Sequence, residues 1–165
     1  MSEFEIRPAR PGELAEIGEI TVAAYRGEGF LDGAEAGYAE KLRDTEARAR
    51  DAELLAAVDA EGVVLGSVTV VRPGTALAEI SREGELEFRM LSVAPAARGR
   101  GVGEALTRAV LSRAQELGAH QVVLSSLDKM TTAHRLYERL GFTRLPERDW
   151  GPEPHVRLLA YAFPL

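Results

Sequence analysis

Between positions 98 and 103 the chain reads Arg98-Gly99-Arg100-Gly101-Val102-Gly103, three glycines set among two arginines. An apolar run, Met90 to Val93, lies just upstream, and an amphipathic run, Glu104 to Leu117, follows. Without Cβ atoms the backbone is bare and free to take positive φ. A helix starting here aims unpaired N–H groups, and the positive end of its dipole, at whatever fills the loop. That arrangement seats a pyrophosphate, so a phosphate-bearing cofactor is the first expectation. No Gly-Lys-Ser/Thr follows the glycines, which argues against a P-loop. A dinucleotide fold wants its glycines after the first strand and an acid about 20 residues on, whereas here the glycines follow a fourth strand.

The elements that must hold this loop can be read from spacing. Phe4 to Arg7 alternates apolar and polar and is stopped by Pro8 and Pro11, a short first strand. Glu13 to Tyr25 carries Leu14, Ile17, Ile20, Val22 and Ala24 at helical spacing, and Ala34 to Arg50 reads as a second helix. Glu53 to Val58 and Val63 to Val71 are strands joined by a hairpin turn around Asp59-Ala60-Glu61-Gly62. Glu85 to Val93 is a long strand ended by Ala94-Pro95, and Gly118 caps the helix that follows the glycine loop. Gln121 to Ser126 suits a strand buried on both faces. Met130 to Leu140 is helical and closed by Gly141, and Phe142 to Leu145 with Val156 to Phe163 forms a final strand pair. The order β-α-α-β-β-β-α-β-α-β-β describes one mixed α/β domain over 1–165, with no repeat or linker.

With 165 residues, 45% apolar and 28% charged, the composition is that of a globular protein with one sizeable core. No apolar run approaches the roughly 20 residues that span a bilayer, and the N-terminus lacks a basic-then-apolar leader, so a cytoplasmic location is expected. The net charge of −6 offers no general attraction to nucleic acid or an anionic membrane, and an anionic cofactor must be held by local donors. The absence of cysteine excludes disulfides, a thiol nucleophile and thiolate metal sites. The three histidines, His120, His134 and His155, are scattered without ligand spacing, so no metal is expected. His134 is expected at the surface.

In this order and spacing, Val93-Ala94-Pro95, Arg98-x-x-Gly101-x-Gly103 and Ala133-His134-Arg135-Leu136-Tyr137-Glu138-Arg139-Leu140-Gly141-Phe142 resemble the GNAT superfamily of acyl-CoA-dependent N-acyltransferases. The match is specific from about Glu85 to Phe142. The resemblance implies a central, mostly antiparallel mixed sheet of about seven strands, splayed between the fourth and fifth and flanked by about four helices. It implies acetyl-CoA as acyl donor and transfer to a primary amine by direct attack within a ternary complex. Many members carry an Asn three residues before the helix alanine; here that position is Met130, with Thr131 and Thr132 as substitutes.

On the same resemblance, Arg98, Gly99, Arg100, Gly101, Val102 and Gly103 cradle the pyrophosphate. The backbone of Leu91, Ser92 and Val93 pairs with the pantetheine arm as an added strand would, and the N–H near Val93 stabilises the oxyanion. Tyr137 is the candidate acid for the departing thiolate and also contacts the cofactor. With a tyrosine pKa near 10 and a thiol near 8.5, that proton transfer is uphill by only about 2 kcal/mol. An alkylammonium is almost wholly charged at neutral pH, so a base is needed. Glu85 and Glu87 share one strand face. Glu87 falls where several members place a glutamate acting through water, and in others water alone serves.

Acceptor selection is expected in Tyr25 to Asp32, in the following helix and in Pro146 to His155. Tyr25, Phe30 and Trp150 would be aromatic walls, and Arg148 and Asp149 polar selectors. The acceptor, a small-molecule or protein amine, stays open, as do the acyl length and a homodimer. The competing class is a non-catalytic acyl-CoA-binding module, which would keep the loop but need neither Tyr137 nor Glu87.

Overall fold

The computed structural model describes residues 3–30 and 38–165. In chain order the elements are β1 (Phe4–Pro8), α1 (Leu14–Gly27), α2 (Ala39–Arg43), α3 (Thr45–Asp51), β2 (Glu53–Asp59), β3 (Val64–Val71) and β4 (Glu85–Val93). There follow α4 (Val102–Glu116), β5 (Gln121–Leu127), α5 (Thr131–Leu140), β6 (Thr143–Arg144), β7 (Trp150–Glu153) and β8 (Val156–Pro164). Strand neighbours run β1-β2-β3-β4-β5-β8-β6, with β7 on β8. β4 and β5 are parallel, and their ladder runs only from Glu85/Gln121 to Phe88/Leu124, short of the ends of both strands. This is the parting expected between the fourth and fifth strands.

The mixed, mostly antiparallel sheet flanked by helices is as expected, and two counts are sharpened among the described residues. The sheet has eight strands rather than about seven, because Trp150–Glu153, read as loop, pairs with β8. Gly151 makes this possible: a Cβ there would stand 2.2 Å from the Val156 carbonyl oxygen. There are five α-helices rather than about four, because the expected second helix breaks at Asp44. Asp44 takes a non-helical ψ of 65° and its carboxylate accepts the Ala47 N–H at 3.1 Å, capping α3. Residues 34–37 of that expected helix lie outside the described residues.

The chain forms two units, Met1–Val70 with Met90–Ala109, and Val71–Arg89 with Val110–Leu165. In the first, Ile17 of α1 packs with Leu54, Ala56, Val58 and Val64, as the helical spacing required. Val22, Ala39, Leu42 and Met90 form a second cluster. The β2–β3 turn closes as expected: Asp59 accepts the N–H groups of Glu61 and Val63 at 2.9 Å, and Gly62 takes φ 84°. Gly66 of β3 lets β4 come close, since a Cβ would lie 2.5 Å from the Ser92 carbonyl oxygen and 3.1 Å from Val102 Cγ1.

The second unit is held by rings. Phe88 meets Tyr137 at 5.8 Å and Phe142 at 6.2 Å between centroids, and Phe142 meets Phe163 at 5.2 Å. Val122, Val123 and Leu124 of β5 are fully buried, as its composition foretold.

A buried ion pair links β4 to the segment before β7 in this unit. Arg148 donates to both oxygens of Glu85, at 2.7 and 2.9 Å, and also to the Ile80 carbonyl at 3.2 Å. Gln121 Nε2 and the Arg82 N–H complete the carboxylate's shell at 2.5 and 2.8 Å. Burial works against the charge of Glu85, but these hydrogen bonds outweigh it and bring its pKa down to about 2. Both residues expected as polar selectors, Arg148 and Asp149, thus have partners within the protein. Asp149 accepts the Ala160 N–H at 2.8 Å and also binds Arg144 and Arg157.

A carboxylate with a depressed folded pKa contributes stability that is present above its ordinary pKa of 4.5 and is lost as pH falls towards 2. Arg148→Met is expected to cost about 3 kcal/mol, the low end for a broken buried pair. Denaturant unfolding as a function of pH reads this out. The variant should also lose much of the wild type's decline in stability between pH 4.5 and 2.

Candidate active site

β4 does not run evenly. Met90, at φ 57°, is the one non-glycine among the described residues in the left-handed region, a conformation whose steric cost is of order 1–3 kcal/mol. Its side chain is buried with Val22, Ala39 and Leu42, which hold it there. Burial alternates through it: Phe88, Met90 and Ser92 are buried, and Arg89, Leu91 and Val93 are half-buried. The Ala94 N–H then donates to the Leu65 carbonyl at 2.8 Å, tying the end of β4 to β3.

The glycine loop follows a single 3-10 turn, Pro95–Ala97. Gly99 and Gly101 both take positive φ, 80° and 79°, and open space surrounds the position of a Cβ at each. Conformation, not close approach, demands glycine here. α4 begins at Val102, two residues earlier than expected, and the Ala105 N–H makes the bond to the Gly101 carbonyl at 3.0 Å. The amides of Val102, Gly103 and Glu104 thus precede the helix's hydrogen-bonded ladder, and the dipole's positive end is at the loop. Arg98 pairs with Glu28 at 3.3 Å and Arg100 with Glu3 at 3.2 Å.

Glu28 lies just past the end of α1, so the Arg98 pair brings the loop beside the Tyr25–Phe30 segment. Tyr25 and Phe30 meet edge to face at 6.2 Å, and Tyr38 joins Tyr25 at 6.2 Å. Leu31 and Asp32, the rest of the expected selector loop, lie outside the described residues.

Glu87, Tyr137 and Trp150 belong to the second unit. Glu87 is fully buried, and its carboxylate accepts the N–H groups of Glu79, Ile80 and Ser81 at 3.1 to 3.3 Å and the Ser81 hydroxyl at 2.7 Å. Glu85 accepts the next amide, that of Arg82, so both glutamates of the shared face grip one loop. Arg89 adds an ion pair with Glu79 at 3.2 Å and a bond to the Leu77 carbonyl at 3.0 Å.

Tyr137, on α5, is buried against Phe88, Phe142 and Tyr161. Burial pushes its pKa well above 10, so the hydroxyl keeps its proton throughout the neutral range. Giving that proton to a thiolate is then more uphill than the ordinary tyrosine value implied. Trp150 donates its indole N–H to Ser125 Oγ at 3.1 Å. His134, expected at the surface, is buried: its Nε2 is 3.1 Å from Ser126 Oγ and its ring lies 5.3 Å from that of Tyr161. Burial lowers its pKa. Met130 caps α5 by chain position, not by a side-chain bond, and its sulfur receives the Ser126 hydroxyl at 3.6 Å. Among the described residues no cluster of three His, Asp or Glu is placed to hold a metal ion.

Sequence reasoning missed Met90, Gly66 and the amides that fill Glu87's shell. Gly66 offered the one readable signal, an isolated glycine within a strand pattern, which marks close approach of another backbone.

Known proteins resemble this chain over most of these residues. Residues 14–142 match the acetyltransferase (GNAT) family. The mycothiol acetyltransferase of Pseudarthrobacter chlorophenolicus is 45% identical over 94 residues, 56% of this chain and 28% of that protein. An uncharacterized N-acetyltransferase of Schizosaccharomyces pombe is 32% identical over 103 residues, 62% of this chain and 59% of that one. The chain spans between 17% and 35% of the length of six mycothiol acetyltransferases it matches. A solved structure from Corynebacterium glutamicum, described as histone acetyltransferase HPA2 and related acetyltransferase, superposes with a TM-score of 0.73 at 26% identity, covering 99% of this chain and 97% of that one. A GNAT family acetyltransferase from Brucella melitensis, solved in complex with acetyl-CoA, gives 0.60 at 26% identity over 100% and 92%. This chain belongs to the acetyltransferase (GNAT) family.

Proposed function

We propose that this chain is an N-acetyltransferase that takes its acetyl group from acetyl-CoA and delivers it to a primary amine by direct attack in a ternary complex. The observation that carries the reading is the glycine loop, whose amides at Val102, Gly103 and Glu104 lie ahead of α4's ladder at the positive end of its dipole. An anionic diphosphate fits those donors, and the open space at Gly99 and Gly101 leaves room for it. Support also comes from the relatives, among them a structure holding acetyl-CoA. Residues 1–165 act in this reading as one catalytic domain in the cytoplasm.

Each residue then has a task. Arg98 and Arg100 add charge to the diphosphate seat, and the backbone of Leu91, Ser92 and Val93 lines the pantetheine arm. The Val93 N–H faces the carbonyl oxygen as the amine nitrogen bonds to the acetyl carbon and the carbon–sulfur bond breaks. Tyr137 hydrogen-bonds the departing sulfur and gives it a proton. The amine's own proton leaves through water to Glu87, whose carboxylate must loosen one of its loop hydrogen bonds to take it. Tyr25, Phe30 and Trp150 contact the acceptor.

Gly101→Glu puts a side chain and a negative charge into the seat at a positive-φ position. It is expected to raise the calorimetric Kd for CoA more than about a hundredfold, while circular dichroism shows a folded protein. Wild-type affinity in that variant removes the reading. Tyr137→Phe is expected to lower kcat by about 10²-fold or more with KM for acetyl-CoA within threefold. Thiol release across an amine panel, read with product masses, identifies acceptor and acyl group together. Tight acetyl-CoA binding with silence across the panel would make the chain a binding module instead. Glu87→Gln is expected to lower kcat by about 10²-fold or more. A kcat within threefold of wild type alongside a lowered melting temperature assigns Glu87 to the Glu79–Ser81 loop alone.

A further inference from the structure

Five of the buried polar side chains of the first unit are joined to one another. They are Thr21 of α1, Arg48 of α3, Ser67 and Thr69 of β3, and Ser92 of β4; all but Ser92 are at most 1% exposed, and Ser92 is 4% exposed. Their contacts form one connected set. Thr21 donates its hydroxyl to the Ile17 carbonyl at 2.8 Å. Thr21 Oγ1 also lies 3.1 Å from Ser92 Oγ and accepts from Arg48 Nη2 at 3.4 Å. Ser92 Oγ lies 3.5 Å from Ser67 Oγ. Arg48 is further bound to Thr69 Oγ1 at 3.3 Å and the Leu42 carbonyl at 2.8 Å.

Counting protons fixes the direction of this chain. A hydroxyl has one proton to give and two lone pairs. Thr21 spends its proton on Ile17, and a guanidinium can only donate, so Thr21 faces both Arg48 and Ser92 as acceptor. Ser92 must therefore be the donor at the 3.1 Å contact. With its own proton spent, Ser92 can only accept from Ser67. The order runs Ser67 to Ser92 to Thr21 to the Ile17 carbonyl, and every lone pair and proton of Thr21 is used.

The set closes on the middle residue of Leu91-Ser92-Val93, two positions after the left-handed Met90. Burial alternates through the inverted residue, Phe88, Met90 and Ser92 being buried and Arg89, Leu91 and Val93 half-buried, and keeping that phase past a left-handed residue needs a fixture. Ser92, turned inward and held by its hydroxyl, supplies it, and its neighbours are set facing the other way. We propose that Thr21 is a positioning residue for acetyl transfer: through Ser92 it fixes the rotation of β4 so that the Leu91–Val93 backbone meets the pantetheine arm. This rests on the reading of β4 given under the proposed function.

The test is a hydroxyl swap at constant shape. Thr21→Val keeps the volume and removes the proton and lone pairs; Thr21→Ser keeps the hydroxyl and removes a methyl. Thr21→Val is expected to raise the calorimetric Kd for CoA and the KM for acetyl-CoA about tenfold, the scale of one lost hydrogen bond. Thr21→Ser should stay within twofold of wild type in both, even with a lower melting temperature. Ser92→Ala should lose as much as Thr21→Val, and the double variant no more than either, because both cut one link. This set also decides the matter if Thr21→Val does not fold, by comparing Ser92→Ala with Thr21→Ser. A Thr21→Val or Ser92→Ala protein that binds CoA within twofold of wild type overturns the proposal, as does equal loss in Thr21→Ser. Failure of the wild type to bind CoA strikes the underlying reading, and this proposal with it.

Discussion

One inverted residue governs how β4 is used. Up to Phe88 the strand pairs with β5 and its glutamates reach the 79–82 loop; from Met90 on it belongs to the other unit and turns Ser92 into that unit's core. A left-handed backbone at a bulky residue persists only where packing over-determines it. Methionine suits the place because its unbranched side chain adapts to the Val22–Leu42 cluster without a β-branch to collide with the backbone. The resulting strand serves two different surroundings without ending between them.

What was legible in the sequence was local. The glycine loop, the Asp59–Gly62 turn and the helix stops at Gly118 and Gly141 each follow from a residue type acting within a few positions, and all four appear where expected. Helical and alternating spacing likewise placed β4 to the residue and β5 to within one. The break at Asp44 was also local, but a strong helix-forming composition on either side masked a single capping residue.

The partners of the site residues were not legible, because they are set by distance in sequence. Arg148 meets Glu85 across 63 positions and Ser92 meets Thr21 across 71, and no periodicity reports either. Glu87 was assigned to one strand face correctly, yet the amides that fill its shell come from a loop without any pattern. His134 was misplaced for a related reason: polarity suggested solvent, whereas Ser126 and the Tyr161 ring receive it in the interior.

Both arginines of the glycine loop already hold carboxylates, Glu28 for Arg98 and Glu3 for Arg100, in solvent-exposed pairs. Phosphate arriving at this loop would therefore exchange partners instead of meeting bare cations. The electrostatic gain is the difference between two pairings, and the carboxylates set free return to water, where they are well solvated. Added salt weakens the resting pairs as well as the new ones, so affinity should depend on ionic strength less steeply than two unpaired guanidinium groups would dictate. In the proposed reading the acids would act as placeholders, keeping a positive patch covered until phosphate arrives, in a chain whose net charge is −6.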